Sequence, residues 1–211
     1  MPNSRRAQQL SSHGERQATG TNTTIASNDA TYVGGLGVGG GGSLFLTNTV
    51  FHSNSDGSSS GGSSYYGAAV TAHDGSSLSI SFSTIVASNG TYALTLHQNS
   101  FLEMNNSIMA FNNGYGLYLS SATSGYVTGG YNAFWENAYD NYFYSADVQQ
   151  TLEANVVQAD PAFTSYDGDP DADDLHLDGG SPCVDAGDPD QDDTDGSRAD
   201  MGAYGGAGGD W

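Results

Sequence analysis

The sequence has no lysine, and its four basic residues, all arginine, face 24 acidic residues, which gives a formal net charge of −20. Duplex DNA, RNA and anionic membranes repel such a chain, so we expect no nucleic-acid partner. No apolar stretch approaches the ~18 residues of a membrane-spanning helix, and the first twenty residues lack the apolar centre of a signal peptide. We therefore expect no transmembrane segment, and we interpret the chain as a monomer or a part of a longer chain whose export signal is missing.

Proline and cysteine are also scarce. No proline occurs between Pro2 and Pro161, and a proline-free stretch of this length suits continuous β pairing. Cys183 is the single cysteine, so no internal disulfide can form. Its neighbours Pro182 and Val184 indicate a small buried side chain rather than a reactive thiol.

The acidic residues are unevenly distributed. Only five charged residues lie between residues 31 and 140, whereas fourteen aspartates lie between residues 160 and 200. Alternating aspartates concentrate carboxylate oxygens, the ligands that calcium prefers, although the spacing is not that of an EF-hand. A solvated acidic surface is the alternative. Arg198 is expected to pair with a neighbouring carboxylate. The predicted calcium ligands are Asp167, Asp169, Asp171, Asp173, Asp188, Asp190, Asp192, Asp193 and Asp195.

Short strand-like segments recur about every 24 residues. They are separated by Gly, Asn and Ser, and none shows a sustained helical period. This period admits a leucine-rich repeat or a parallel β-helix, and the sequence lacks the dense leucine consensus of the former. In a β-helix, equivalent residues of successive coils stack into rows. The predicted interior rows are Val70, Leu94 and Leu117; Ala72, Leu96 and Leu119; and Ile85, Ile108 and Ala133.

The sequence therefore predicts an all-β fold, a right-handed parallel β-helix of about four coils with an irregular acidic C-terminal cap. Residues 1–30 are predicted to be disordered or truncated, residues 31–144 to form the coils, and residues 145–211 to form the cap on the last coil. Asparagines end successive units, and we expect them in left-handed turns, since Asn tolerates that backbone. These asparagines are Asn54, Asn89, Asn112 and Asn137.

Several motifs together resemble bacterial secreted right-handed parallel β-helix proteins, in the part that often lies next to a cell-surface anchor. They are the coils that end in Asn, then residues 130–137 (GYNAFWEN), 159–163 (ADPAF), 174–177 (DLHL), and 181–189 with 195–204. The resemblance covers roughly residues 38–206. It implies an extracellular or cell-surface protein with a structural or adhesive role.

The same family contains polysaccharide lyases and hydrolases, so a carbohydrate-active enzyme, or the remnant of one, is the alternative. Lyases of the family use an arginine or lysine base, and the coils contain neither. Hydrolysis needs two carboxyl groups about 5 to 9.5 Å apart. Apart from Asp56, the coils offer Asp74, Glu103, Glu136 and Asp140, and no spacing brings two of them together. We therefore predict no catalytic residues and a non-catalytic role.

Two kinds of side chain are candidate ligand-binding residues. His73 and His97 occupy equivalent positions and should stack one coil apart. Tyr92, Tyr115 and Tyr118 could form a platform on which sugar rings stack, and a glycan is the predicted partner. Rows of aromatic residues are also common on the outer faces of sheets, where they serve packing alone.

Overall fold

The computed structural model describes residues 9–10, 16–57, 66–120, 127–144, 152, 155–209 and 211. This part of the chain contains strands, turns and irregular segments, and no helix in it is long and apolar enough to cross a membrane. The strands are β1 (Gln9–Leu10), β2 (Gln17–Ala26), β3 (Leu36–Val38), β4 (Ser43–His52), β5 (Val70–Ala72), β6 (Ser77–Val86), β7 (Tyr92–Leu96), β8 (Phe101–Asn105), β9 (Ile108–Ala110), β10 (Tyr115–Leu119), β11 (Val127–Gly130), β12 (Ala133–Trp135), β13 (Tyr142–Tyr144), β14 (Phe163–Ser165) and β15 (Asp174–Leu177).

Two parallel sheets form the coils. The first sheet has the order β1-β3-β5-β7-β10-β13, and the second has the order β11-β8-β6-β4-β2. Two short strands extend the second sheet, since β9 pairs with β6 and β12 pairs with β9. Each strand pairs with its equivalent one coil away, so the second sheet stacks five rows and the chain makes about four turns. The predicted all-β parallel β-helix is confirmed.

Two of the three predicted interior rows are also confirmed. Their residues are paired in register across neighbouring coils and are almost completely buried. Burying a Val or Leu side chain contributes about 1.5 to 3 kcal/mol, so these short strands supply a core although large aliphatic residues are few. The rows are Val70–Leu94–Leu117 and Ala72–Leu96–Leu119.

The third predicted row is wrong by one residue. Ile85 pairs with Met109, and Ile108 pairs instead with Thr84. The prediction aligned the units on their terminal asparagines, but the true offset here is 24 residues, and a slip of one residue moves a side chain to the opposite face of a strand. The observed interior row is Phe51, Ile85, Met109 and Phe134. Ile108 and Ala133 belong to a different cluster, on the outer side of the coils.

The corners of the coils are residues with a left-handed backbone, in register from coil to coil. The terminal asparagines were expected at these positions. Instead, Asn54, Asn112 and Asn137 each directly follow the left-handed residue of their coil. In the third coil the residue that follows is Ser88 rather than Asn89. The left-handed residues in the two rows are Asn22, Asn48, Phe82, Asn106 and Tyr131, and Ser27, Ser53, Ala87, Phe111 and Glu136.

Three of the terminal asparagines, Asn54, Asn112 and Asn137, instead point inward and bond the coils to each other, whereas Asn89 is exposed. Asn112 is buried, and its Oδ1 accepts a hydrogen bond from the backbone N–H of Ser88 in the preceding coil (3.0 Å). Its Nδ2 donates to Ile85 O (3.1 Å) and to Oδ1 of Asn137 in the next coil (2.8 Å). The Asn112 amide therefore satisfies polar groups of the coils on both sides of its own, inside a narrow core where an unpaired group would be costly.

The acidic C-terminal part covers the side of the coils, whereas the prediction placed it on the last coil only. We call residues 155–209 the C-terminal cover. Val157 does pair with Ala133 at the end of the helix. Beyond it, Leu175, Cys183, Met201 and Ala203 pack on outward-facing residues of β4, β6, β9 and β12, which are Val50, Val86, Ile108, Ala110 and Ala133. An apolar outer face explains this position, because it would otherwise contact water.

The coils also begin earlier than predicted. β2 lies inside the segment 1–30 that was expected to be disordered, and nine of its residues pair in register with β4. Its composition is rich in threonine and poor in large apolar residues, so its sequence did not align with the later coils. Residues 1–8 and 11–15 of this segment, and residues 145–151, 153–154 and 210 of the predicted cap, lie outside the described residues.

Candidate ligand-binding surface

Seven aromatic side chains form a continuous series on the first sheet and its adjoining turns, which we call the aromatic row. In spatial order they are Tyr32, Tyr66, His97, Tyr118, Tyr92, Tyr115 and Tyr139. Neighbouring ring centroids are 4.3 to 6.4 Å apart. All five residues predicted to bind a ligand lie in or beside this row, since His73 precedes His97 by one coil.

The repeat explains why the central rings meet. Tyr92 begins β7 and is in register with Tyr115 at the beginning of β10, and their rings stack with centroids 5.8 Å apart. Tyr118 is in register with Thr95, and its ring stacks on Tyr92 at 4.3 Å. Equivalent positions of adjacent parallel strands lie about 4.8 Å apart, which is within stacking distance of two rings.

His73 and His97 occupy equivalent positions, as predicted. The backbone N–H of His73 donates to Val38 O and that of His97 donates to Ala72 O, both at 2.9 Å. His73 is partly exposed, and its Nδ1 lies 2.9 Å from Oδ2 of Asp74. Burial, with a smaller effect from His73, lowers the pKa of His97 to about 4. His97 is therefore neutral at neutral pH, and it contributes an aromatic ring rather than a charge.

The ends of the aromatic row are its most accessible parts. Tyr32 is 64% exposed and Tyr139 is 66% exposed, whereas the central rings are half-buried and His97 is buried. Tyr32 was not predicted, although it precedes Tyr66 by 34 residues, which is the offset between β3 and β5. That offset is the signal that would have found it.

The first predicted calcium cluster surrounds a buried contact. Oδ1 of Asp173 accepts a hydrogen bond from the N–H of Asp167 (2.7 Å), and its Oδ2 accepts one from Gly168 (3.1 Å). The same Oδ2 lies 2.8 Å from Nε2 of His52, with both side chains almost completely buried. Oδ1 of Asp167 and of Asp169 each accept a hydrogen bond from the N–H two residues later. These carboxylates therefore organise their own loop.

The second predicted cluster behaves in the same way. Oδ1 of Asp188 accepts from the N–H of Asp190, and Oδ1 of Asp195 accepts from the N–H and hydroxyl of Ser197. Asp193 accepts from Gly206 N–H and Asp200 N–H. No group of three or more His, Cys, Asp or Glu side chains in the described residues is arranged to hold a metal ion. Calcium binding stays a prediction.

Among the described residues, Arg198 pairs with carbonyl groups rather than with the expected carboxylate. Its guanidinium donates to Gly187 O (2.7 Å from Nε) and to Ala186 O (3.3 Å from Nη2), and it lies 5.8 Å from the ring centroid of Tyr131. The hydrogen bonds of Arg198 thus close a loop within the C-terminal cover, and its contact with the Tyr131 ring is the one that reaches the coils.

Ser53, His52 and Asp173 resemble a catalytic triad in their distances. Oγ of Ser53 lies 2.8 Å from Nδ1 of His52, and Nε2 of His52 lies 2.8 Å from Asp173. However, the His52 side chain is only 3% exposed, and the N–H of Ser53 donates to Val86 O. A substrate would have to displace the C-terminal cover to reach the imidazole, so this arrangement holds the cover in place.

The coil carboxylates are dispersed over different parts of the surface. Asp74 lies in the turn after β5, Glu103 lies on the outer face of β8, and Glu136 lies in the corner after β12. Asp140 accepts a hydrogen bond from the N–H of Asn141.

Comparison of the chain with protein-family models, with curated proteins and with solved structures finds no match.

Proposed function

We propose that this protein is an extracellular or cell-surface β-helix with a structural or adhesive role, which contacts glycans through the aromatic row without cleaving them. The observation that carries the proposal is the continuity of the row. Its rings lie side by side over several coils, and the two terminal tyrosines expose most of their surface.

The chemistry of the row suits a neutral carbohydrate. Aromatic faces pack against the C–H groups of a sugar ring, and the tyrosine hydroxyls can donate and accept hydrogen bonds with its hydroxyl groups. A charged ligand is less well matched, because His97 is neutral and Asp74, beside the row, is already paired with His73. An extended row of rings suits a linear chain of sugars better than an enclosed pocket would.

The geometry also favours binding over catalysis. Glycoside hydrolysis with two carboxyl groups requires them on one face, and the coil carboxylates lie in different rows and corners of the β-helix. The stacked rows of asparagine, serine and threonine bond the coils to each other, which suits a rigid support. A rigid support displays a ligand-binding row without an ordering cost at each encounter.

The proposal is tested with a glycan array followed by titration of the best-bound glycan. The double variant Tyr32→Ala and Tyr139→Ala removes the two most exposed rings, and we expect it to weaken binding about tenfold. Phe45→Leu is the matched control, because Phe45 is exposed on the other sheet. Equal binding by the double variant and the wild type would contradict the proposal.

The catalytic alternative has its own readout. Prolonged incubation of the bound polysaccharide with the protein, followed by separation of the products by size, should show no shortening of the chain. Release of shorter fragments would establish an enzyme. Protease treatment of intact cells that carry the full gene tests the proposed location, since a surface-displayed β-helix should be cut or released and a protein inside the cell should not.

A further inference from the structure

A second surface lies on the outer face of the second sheet, on strands that do not carry the aromatic row. A shallow cleft of about 320 Å³ lies there, lined by Phe45, Ser77, Ser79, Phe101 and Glu103 among others. Its volume is at the lower end of the range for small-molecule sites, roughly 300 to 1,000 Å³. Phe45 and Phe101 are 39% and 42% exposed.

The strand register explains the shape of the cleft. Phe45 on β4, Ser79 on β6 and Glu103 on β8 occupy one row across three strands. Phe101 lies two residues before Glu103 on β8 and is in register with Ser77. The small serines of β6 therefore form a floor, with a phenyl ring on β4 on one side and a phenyl ring and a carboxylate on β8 on the other. The two flanking strands are about 9.6 Å apart, since adjacent strands are about 4.8 Å apart.

The charge of the cleft is negative, and no basic side chain of the described residues is paired with it. Glu103 is exposed. Among the described residues, its Oε1 accepts a hydrogen bond from Nδ2 of Asn105 at 3.4 Å. No lysine or arginine occurs between Arg16 and Arg198 in the sequence. The described ion pairs of the molecule all involve histidine, and none involves Glu103.

These features select the class of ligand. Phosphate, sulfate and carboxylate groups are disfavoured beside an uncompensated carboxylate in a chain with a net charge of −20. A cation is attracted to the carboxylate and also to the negative faces of aromatic rings, when it lies within about 6 Å of their centroids. An organic cation additionally buries its methyl or methylene groups against phenyl rings, which a hydrated metal ion does not.

We propose that the cleft between Phe45 and Phe101 binds a small organic cation, such as a quaternary ammonium group, with Glu103 as its counter-ion. The cation lies above Ser79, with a ring on either side. Because the cleft is open, water screens the cation–ring contacts, and we expect weak binding with a dissociation constant in the millimolar range. This inference does not depend on glycan binding by the aromatic row.

The test compares two probes of nearly identical shape. Choline carries a positive charge, whereas 3,3-dimethylbutan-1-ol has a carbon in place of the nitrogen and is neutral. Titrated against the whole protein and followed by NMR chemical shifts of β4, β6 and β8 amides, choline should bind at least fivefold more tightly than the alcohol. Equal binding of the two would overturn the proposal, because the cleft would then be only an apolar or sugar-binding surface.

Variants separate the specific site from general attraction of cations to an acidic protein. Glu103→Gln keeps the acceptor for Asn105 and should weaken choline binding at least fivefold, while Glu136→Gln removes the same charge from an exposed corner and should leave it unchanged. Phe45→Leu and Phe101→Leu retain an apolar side chain and should each weaken binding about threefold. Equal effects of Glu103→Gln and Glu136→Gln would also overturn the proposal. Unchanged circular dichroism and melting temperature would show that the variants are folded.

Discussion

His52 and Asp173 are 121 residues apart in the sequence, yet Nε2 of His52 lies 2.8 Å from Oδ2 of Asp173 and both side chains are buried. This contact joins β4, at the heart of the coils, to the loop that precedes β15 in the C-terminal cover. The pair of His176 and Asp174 is close by in sequence and has a similar distance of 2.6 Å, but it is about half exposed. The two pairs therefore offer a matched comparison.

We expect Asp173→Asn to lower the free energy of unfolding by about 2 to 3 kcal/mol, because it leaves buried hydrogen-bonding groups partly unsatisfied. Asp174→Asn should cost less than about 1 kcal/mol, as is usual for exposed ion pairs. Urea denaturation of both variants gives the comparison. Similar losses for the two variants would show that the buried pair does not anchor the cover.

Leu94 lies in the middle of a confirmed interior row and is completely buried. Leu94→Asp places an unpaired charge in the core, and we expect it to lower the free energy of unfolding by more than about 4 kcal/mol. Thr19→Asp, at an exposed position of β2, should stay within about 0.5 kcal/mol of the wild type. Circular dichroism and thermal melting measure both. A Leu94→Asp variant that melts like the wild type would be incompatible with a packed interior.

Asn112 bonds to the preceding and the following coil, whereas its sequence neighbour Asn113 is exposed. Asn112→Ala leaves the N–H of Ser88 and Ile85 O without these partners, so we expect a loss of about 2 to 4 kcal/mol. Asn113→Ala should have little effect. Native-state hydrogen exchange provides a second readout, because the Ser88 amide should exchange faster in the Asn112→Ala variant only.

Burial, aided by the charges of nearby Asp193 and Asp185 and opposed by the hydrogen bond from Asp185 N–H, raises the pKa of Asp200 from its ordinary value of 3.8 to about 6. The native state then binds a proton more tightly than the unfolded chain, so the free energy of unfolding should fall as the pH rises from about 4 through 6. The stabilisation is fully present below that window and is lost above it.

Asp200→Asn keeps an acceptor for Asp185 N–H and removes the charge, so it should raise the melting temperature at pH 7.5 and reduce this dependence on pH, of which burial of Asp193, whose pKa is also raised, leaves a part. Asp195→Asn is the control. Hydrogen bonds from Ser197 lower the pKa of the Asp195 carboxyl, which is fully exposed, so its sign is opposite and the fall between pH 4 and 6 should persist. An Asp200→Asn variant with the wild-type pH profile would contradict this assignment.

Calcium binding by the two aspartate clusters remains to be measured. If the clusters bind calcium in the native state alone, calcium at ten times its dissociation constant should stabilise the protein by about 1.4 kcal/mol. Differential scanning calorimetry with calcium, with magnesium and with EDTA measures this. Identical melting curves in all three would remove the metal from the account of the C-terminal cover.

The sequence was sufficient for the β-helix because its spacing places like residues at like positions. Val70, Leu94 and Leu117 could be aligned by eye and proved to be paired in register. Ile108 shows the weakness of such an alignment. The asparagine used as its reference is displaced by one residue in the third coil, and one residue is enough to exchange the inner face of a strand for the outer one.

Contacts between distant segments could not be predicted from the sequence, for a different reason. Nothing in the surroundings of His52 or Asp173 marks them as partners, since neither repeats and each lies in a different kind of motif. The apolar residues Leu175 and Met201 were expected to pack, but the surface they cover became apparent only when the outward-facing side of β9 and β12 was known to be apolar. The aromatic row could be predicted in part. Its central rings lie at equivalent positions of the repeat, whereas Tyr32 lies before the units that could be aligned.

The C-terminal cover also limits how this β-helix can change its length. Asn48 in the second coil donates to Ala203 O and Gly205 O, while Asn106, two coils further on, accepts from the N–H of Asp188. Inserting or deleting a coil between them would move one set of donors by about 4.8 Å against the other and break both. Solenoids commonly gain repeats by duplication and lose them by deletion. Here the hydrogen bonds of the C-terminal cover fix the number of coils that it spans. Growth by duplication is therefore compatible with the structure only beyond β4, on the side of β2.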